Sequence, residues 1–221
     1  TLMQKGLFSE MVLLDANKAK AEGEAMDISH GLPFTHAMDI YAGEYEDIAD
    51  ASVVIITAGA NQKPGETRLD LVQKNAAIMR SIIKEIKRVN CEGILLIVSN
   101  PVDILTEVAL RESGFPKERV IGSGTVLDTA RLKYIISEKL DVDSRNVHAF
   151  IVGEHGDSEL AAWSCANIYG IKLQDFAKMR GCEHFAQDME EVTKESVTAP
   201  MRLSSERERL ITESEWQRKK S

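Results

Sequence analysis

His155 stands in the run Gly153-Glu154-His155-Gly156-Asp157, with glycine on either side of its Glu-His pair, so the backbone there can approach a ligand closely. A histidine in such a place can take and return a proton near neutral pH. It does so best when a carboxylate accepts a hydrogen bond from its second ring nitrogen, holds the tautomer and stabilises the imidazolium. Asp128, in Leu127-Asp128-Thr129-Ala130-Arg131, is the candidate carboxylate. Asp128 and Arg131 are three residues apart and would share one face of a helix, where the plain alternative is a surface ion pair. Upstream, the segment from Thr57 to Arg68 carries two glycines and a proline between an apolar run and a helix. Such loops carry binding groups, and Arg68 could make a charge-assisted bond to a developing oxyanion or a carboxylate. Asn100 closes the next apolar run in Ser99-Asn100-Pro101-Val102-Asp103. A lone histidine is usually structural. The functional weight therefore rests on the constellation of Arg68, Asn100, Asp128, Arg131 and His155.

The elements that must position these groups follow from periodicity. Short apolar runs at Met11 to Leu14, Ser52 to Thr57, Ile94 to Val98 and Arg119 to Ile121 alternate with helical patterns at Lys18 to His30, Leu69 to Val89 and Ile104 to Ser113. That alternation predicts βαβ units, hence an α/β fold with a mostly parallel sheet, and the three later strands read as buried on both faces. In an open α/β sheet ligands bind at the carboxyl ends of the strands, which is where Arg68, Asn100 and Asp15 fall. Asp15 ends a strand in the position where an acidic side chain would accept hydrogen bonds from an adenosine ribose, although an aspartate there is commonly a turn or cap residue. From Val147 the pattern becomes strand-rich, with strands expected over Val147 to Val152 and around Leu160 to Ala166. A second, smaller domain is expected from residue 122.

Composition narrows the partners. Forty-three per cent hydrophobic and 28% charged residues in 221 suffice for a buried core. A net charge of −8 offers no basic face for nucleic acid or an anionic membrane surface, so a small-molecule partner is expected. Cys91, Cys165 and Cys182 fall singly, which predicts neither disulfides nor zinc and fits a cytoplasmic protein. No apolar run is long enough to span a membrane, and Thr1 to Gly6 reads as the end of a glycine-capped helix rather than a secretory signal.

Together the strings ANQKPGETRLDL, SNPVD, GSGTVLDTARL and GEHGDSE resemble the lactate and malate dehydrogenase family, over roughly residues 1 to 197. The resemblance implies an incomplete Rossmann-type, doubly wound sheet in residues 1–121, followed by part of an α+β substrate domain in residues 122–197. It implies an NAD-dependent oxidoreductase that interconverts L-lactate and pyruvate in glycolysis and fermentation. Within it, His155 exchanges the proton on the substrate oxygen while the nicotinamide exchanges the hydride. Asp128 orients His155, Arg131 grips the substrate carboxylate as a bidentate fork, and Arg68 polarises the ketone. Asn100 bonds the substrate and helps place the nicotinamide. Gly59, Ala60, Val98 and Ser123 line the cofactor site, and Asp15 takes the ribose and disfavours a ribose phosphate. Gln62 occupies the place of an arginine in malate-type enzymes, so a second substrate carboxylate would be left unpaired and pyruvate is favoured. His148 resembles part of an allosteric fructose 1,6-bisphosphate site whose usual arginine is replaced by Lys133. A homo-oligomer, commonly a tetramer, is implied.

Two departures set the alternatives. No GxGxxG occurs, so the first βα unit and its phosphate-binding turn are expected to be missing. Beyond Val197 the similarity stops, and Thr198 to Ser221 is polar with no core-facing stripe. Thr198 to Trp216 can nevertheless be encoded by codons that, read one base earlier, give NSAYEIIERKGATYYGIGM, the continuation expected of the family, so a frameshift is expected there. Malate dehydrogenation, or a non-catalytic remnant that binds NADH poorly and does not reduce pyruvate, are the competing expectations.

Overall fold

A computed structural model describes residues 1–61, 65–156, 158–182 and 185, with the backbone alone at Arg68. The chain divides into two compact units, Thr1–Gly122 and Ser123–Ser221.

In the first unit α1 (Leu2–Lys5) ends on Gly6 at φ 59°, the left-handed cap that its sequence predicts. Then follow β1 (Glu10–Leu13), α2 (Lys18–Ser29), β2 (Asp39–Ala42) and β3 (Val53–Ile56). They lead on to α3 (Arg68–Arg88), β4 (Ile94–Ile97), α4 (Val102–Ser113) and β5 (Val120–Gly122). β1 pairs in parallel with β2, and β3, β4 and β5 form a parallel sheet in that order. Parallel neighbours need crossover connections, which α2, α3 and α4 provide. β2 escapes the sequence reading because Asp39-Ile40-Tyr41-Ala42 is too short to show a period.

The helix α3 starts on a reciprocal cap, with Thr67 Oγ1 accepting from the Asp70 amide and Asp70 Oδ2 accepting from the Thr67 amide. Its buried residues Ala76, Met79, Ile83 and Ile86 recur three and four apart, the spacing of one helical face. They share a core with Leu105 and Ala109 of α4 and with Ile56, Leu95, Ile97 and Val120 of the strands. Successive strand residues point to opposite faces, so this core takes alternate positions only. The expectation that these strands are buried on both faces is therefore corrected: Ile55, Ile94 and Ile121 are 38–46% exposed.

The second unit opens with α5 (Val126–Leu140), followed by β6 (Val147–His148), β7 (Ile151–Val152) and β8 (Leu160–Ala161). It continues through β9 (Asn167–Ile168), β10 (Ile171–Lys172) and α6 (Leu173–Met179). The single strand expected over Val147 to Val152 is split. β6 joins β9 and β10 in one antiparallel sheet, while β7 pairs with β8 in another. The second expected strand shortens to β8, and a 3-10 turn at Trp163–Cys165 takes its place. Leu132, Ile136 and Leu140, each four residues on, carry the buried stripe of α5 against Val147, Ile151, Ile168 and Ala177. Residues 198–221, expected to depart from the family, lie outside the described residues.

Candidate active site

The α5 stripe explains the buried carboxylate. Asp128 lies four residues before Leu132 and so continues the buried face into the first turn, where its side chain is 1% exposed. A charge taken out of water needs partners, and Asp128 has them on both oxygens. Arg131 donates to Oδ1 at 2.8 Å and His155 Nδ1 lies 2.8 Å from Oδ2. The N-terminal end of α5 adds a favourable helix dipole for an anion. This is no surface ion pair.

His155 reaches Asp128 because the loop between β7 and β8 is tied to α5. Val152 stands opposite Leu160, which makes residues 153–159 the tip of a hairpin. Gly153 bends this tip at φ 104°, a conformation that L side chains rarely adopt. Below it, the Ile151 amide donates to Thr129 Oγ1 at 2.9 Å and the Ile151 carbonyl accepts from Thr125 Oγ1 at 2.6 Å. Thr125 and Thr129 stand on α5 or at its cap, so the helix that carries Asp128 also fixes the loop that carries His155.

A second acid meets the same ring nitrogen: Glu159 Oε1 lies 3.0 Å from His155 Nδ1 and accepts from the Gly156 amide at 2.9 Å. A carboxylate oxygen accepts and a ring N–H donates, so in both contacts Nδ1 is the nitrogen that carries the proton. Asp128, His155 and Glu159 place ligand-type atoms within 4.8 Å of one another, a spacing that could suit a cation.

The first unit places Asp15, Gly59, Ala60, Val98 and Asn100 just beyond the carboxyl ends of β1, β3 and β4, where open α/β sheets bind ligands. Val98, just past the end of β4, is 40% exposed. Asp15 accepts from the Asn17 amide at 2.9 Å and pairs with Lys20 at 3.4 Å. The Asn17 amide first, and Lys20 after it, hold its carboxyl below the ordinary carboxylate range. Buried Asn75 on α3 ties the loops after β3 and β4 together, accepting from the Ala60 amide at 2.8 Å and donating to the Asn100 carbonyl at 2.9 Å. Ser99 donates to the Ala58 carbonyl at 2.7 Å, and the Asn100–Pro101 peptide is cis.

Arg68 is the first residue of α3, and Ser123 opens the second unit. Gln62 lies outside the described residues. Lys133 is half-buried on α5 and His148 is exposed on β6, with no hydrogen bond or ion pair joining them among the described residues. Sequence reasoning passed over Asn75, Thr129 and Glu159. Glu159 was visible as the last letter of GEHGDSE, and Thr129 as the residue after Asp128. Asn75 had no local signal.

Residues 1–122 match the family description "lactate/malate dehydrogenase, NAD binding domain", and residues 125–199 match its "alpha/beta C-terminal domain". The L-lactate dehydrogenase of Acetivibrio thermocellus is 55% identical over 197 residues, covering 89% of this chain and 61% of the relative. That of Clostridium perfringens is 57% identical over 177 residues, covering 80% of this chain and 56% of the relative. Among solved structures, a lactate dehydrogenase from a deep-sea metagenome library matches with TM-score 0.90 at 49% identity, over 92% of this chain and 65% of its own. The ligand-bound minor L-lactate dehydrogenase of Enterococcus mundtii matches with TM-score 0.89 at 43% identity, over 94% and 66%. The chain thus spans about 56–61% of the length of these curated relatives. With both domain patterns matched, the parallel sheet and the buried Asp128 under His155 belong to a chain of the lactate/malate dehydrogenase family.

Proposed function

We propose that the protein interconverts L-lactate and pyruvate, with His155 Nε2 giving or taking the proton on the substrate oxygen. NAD(H), when bound, supplies the hydride. The observation that carries the reading is His155 Nδ1 held at 2.8 Å by a carboxylate 1% exposed and itself paired with Arg131. A base whose tautomer is fixed and whose cationic form is compensated is prepared for proton exchange before substrate arrives.

Arg131 is the proposed grip on the substrate carboxylate. One terminal nitrogen is committed to Asp128, and its other nitrogens make no hydrogen bond among the described residues. A planar fork can offer two parallel bonds to a carboxylate, which lysine cannot. Arg68 is proposed to polarise the carbonyl and Asn100 to bond the substrate. Asp15 would take the cofactor ribose, with Gly59, Ala60, Val98 and Ser123 lining the cofactor. The ionised Asp15 disfavours a ribose phosphate, an effect that the Lys20 pairing softens. Gln62 favours pyruvate over oxaloacetate, whose second carboxylate would lack a cationic partner. His148 and Lys133 are the candidate residues for an allosteric phosphate, and assembly into a homo-oligomer is proposed with them.

The test is a chimera in which the unmatched parts of the Acetivibrio thermocellus relative complete this chain. It should reduce pyruvate with NADH at least tenfold better than oxaloacetate, and His155→Ala should lower turnover on the order of 10³-fold. Faster reduction of oxaloacetate would favour the malate reading. Full turnover by the His155→Ala variant would remove His155 from the reaction.

A further inference from the structure

Glu159 has no task in the reaction proposed for His155. Its side chain is 2% exposed, Oε1 accepts from both His155 and Gly156, and Oε2 is buried without a hydrogen-bond partner among the described residues. A buried carboxylate with one oxygen unsatisfied costs stability, and a glutamine could accept from the Gly156 amide and close the same loop without burying a charge. The negative charge therefore needs a cation to offset it. Arg131 is bonded to Asp128 and makes no bond to Glu159. Among the described residues, the group bonded to Glu159 that can become cationic is the imidazole of His155. Each acid also approaches the ring from its own element: Asp128 from the first turn of α5, and Glu159 from the residue before β8. One acceptor fixes which nitrogen carries the proton, whereas two acceptors on separate elements restrict the ring plane as well.

We infer that Glu159 is a second positioning carboxylate for His155, acting with Asp128 to hold the Nδ1–H tautomer and the ring orientation and to balance the imidazolium formed during proton exchange. This rests on the reading of His155 as the acid–base group. Glu159 need not touch substrate. Its contribution is a smaller search of ring orientations before reaction and a second negative charge beside the cation.

Tautomers are read by nitrogen-15 NMR of histidine-labelled full chain, with the His155 signals assigned by their loss in His155→Gln. The parent should show His155 as a single Nδ1–H tautomer when neutral. Glu159→Leu should populate the Nε2–H form or speed exchange of the Nδ1 proton about tenfold, while far-UV circular dichroism stays native. An unchanged His155 tautomer and exchange rate in folded Glu159→Leu would overturn the inference and leave Glu159 as a loop staple through Gly156. If Glu159→Leu does not fold, Glu159→Gln decides the matter, because it keeps an oxygen for Gly156 and removes only the charge. In the chimera, kcat of Glu159→Gln should fall about tenfold, the lower range for groups that orient a reacting side chain, with KM for pyruvate within about twofold. An unchanged kcat overturns the inference. Failure of the underlying reading looks different: the tautomer would still respond to Glu159→Leu, while His155→Ala would retain turnover.

Discussion

At His155 the chemistry is decided by which atoms may donate. Carboxylates on Asp128 and Glu159 both face Nδ1, so the ring proton belongs there, and in the proposed reaction Nε2 would do the exchanging. Asp128→Asn tests this directly, because it keeps the size and one acceptor oxygen while offering an amide that competes for Nδ1. In the chimera kcat should fall on the order of 10³-fold, with a much smaller change in NADH affinity measured by fluorescence. A loss below about threefold would mean that Asp128 only anchors Arg131. Of this cluster, the sequence made Asp128, Arg131 and His155 visible by spacing and flanking glycines. It did not reveal that Asp128 is buried, although positions 128, 132, 136 and 140 already trace one helical face.

At the scale of elements, the site depends on a helix and a hairpin being tied at Ile151. Thr129 Oγ1 accepts the Ile151 amide at 2.9 Å, a part-buried backbone donor. Thr129→Val keeps the shape and removes that acceptor, leaving the amide unsatisfied, at a cost of about 1–3 kcal/mol. Urea unfolding followed by a probe in the second unit, such as Trp163 fluorescence, should show the unfolding free energy lowered by that amount, with the midpoint falling accordingly. An unchanged midpoint would shift the anchoring to Thr125. The strand Val147 to Val152 reads as one run because alternation is local, and its division between two sheets is not. Partner strands about ten to twenty residues away pull its two ends into different ladders. The same limit hides β2, whose four residues gain strand character from pairing with β1.

For the whole molecule, the match to the family runs through residue 199, and the chain spans only part of its relatives' length. The codon reading of Thr198 to Trp216 predicts that the source DNA, read across the Val197 codon, carries the shifted frame that continues the family sequence. Codons that do not translate to NSAYEIIERKGATYYGIGM in the neighbouring frame would dispose of it. The βαβ alternation, the single cysteines, the acidic balance and the four motif strings were all legible without coordinates, because periodicity and composition are properties of the chain itself. So was the family. What the sequence could not settle was which carboxylate meets His155, how many do so, and that Asn75 joins the loops at Ala60 and Asn100. Those contacts join residues up to 27 positions apart, through strand pairing, a threonine clamp and a shared buried face. Only closure of the tertiary structure brings such groups within hydrogen-bonding distance.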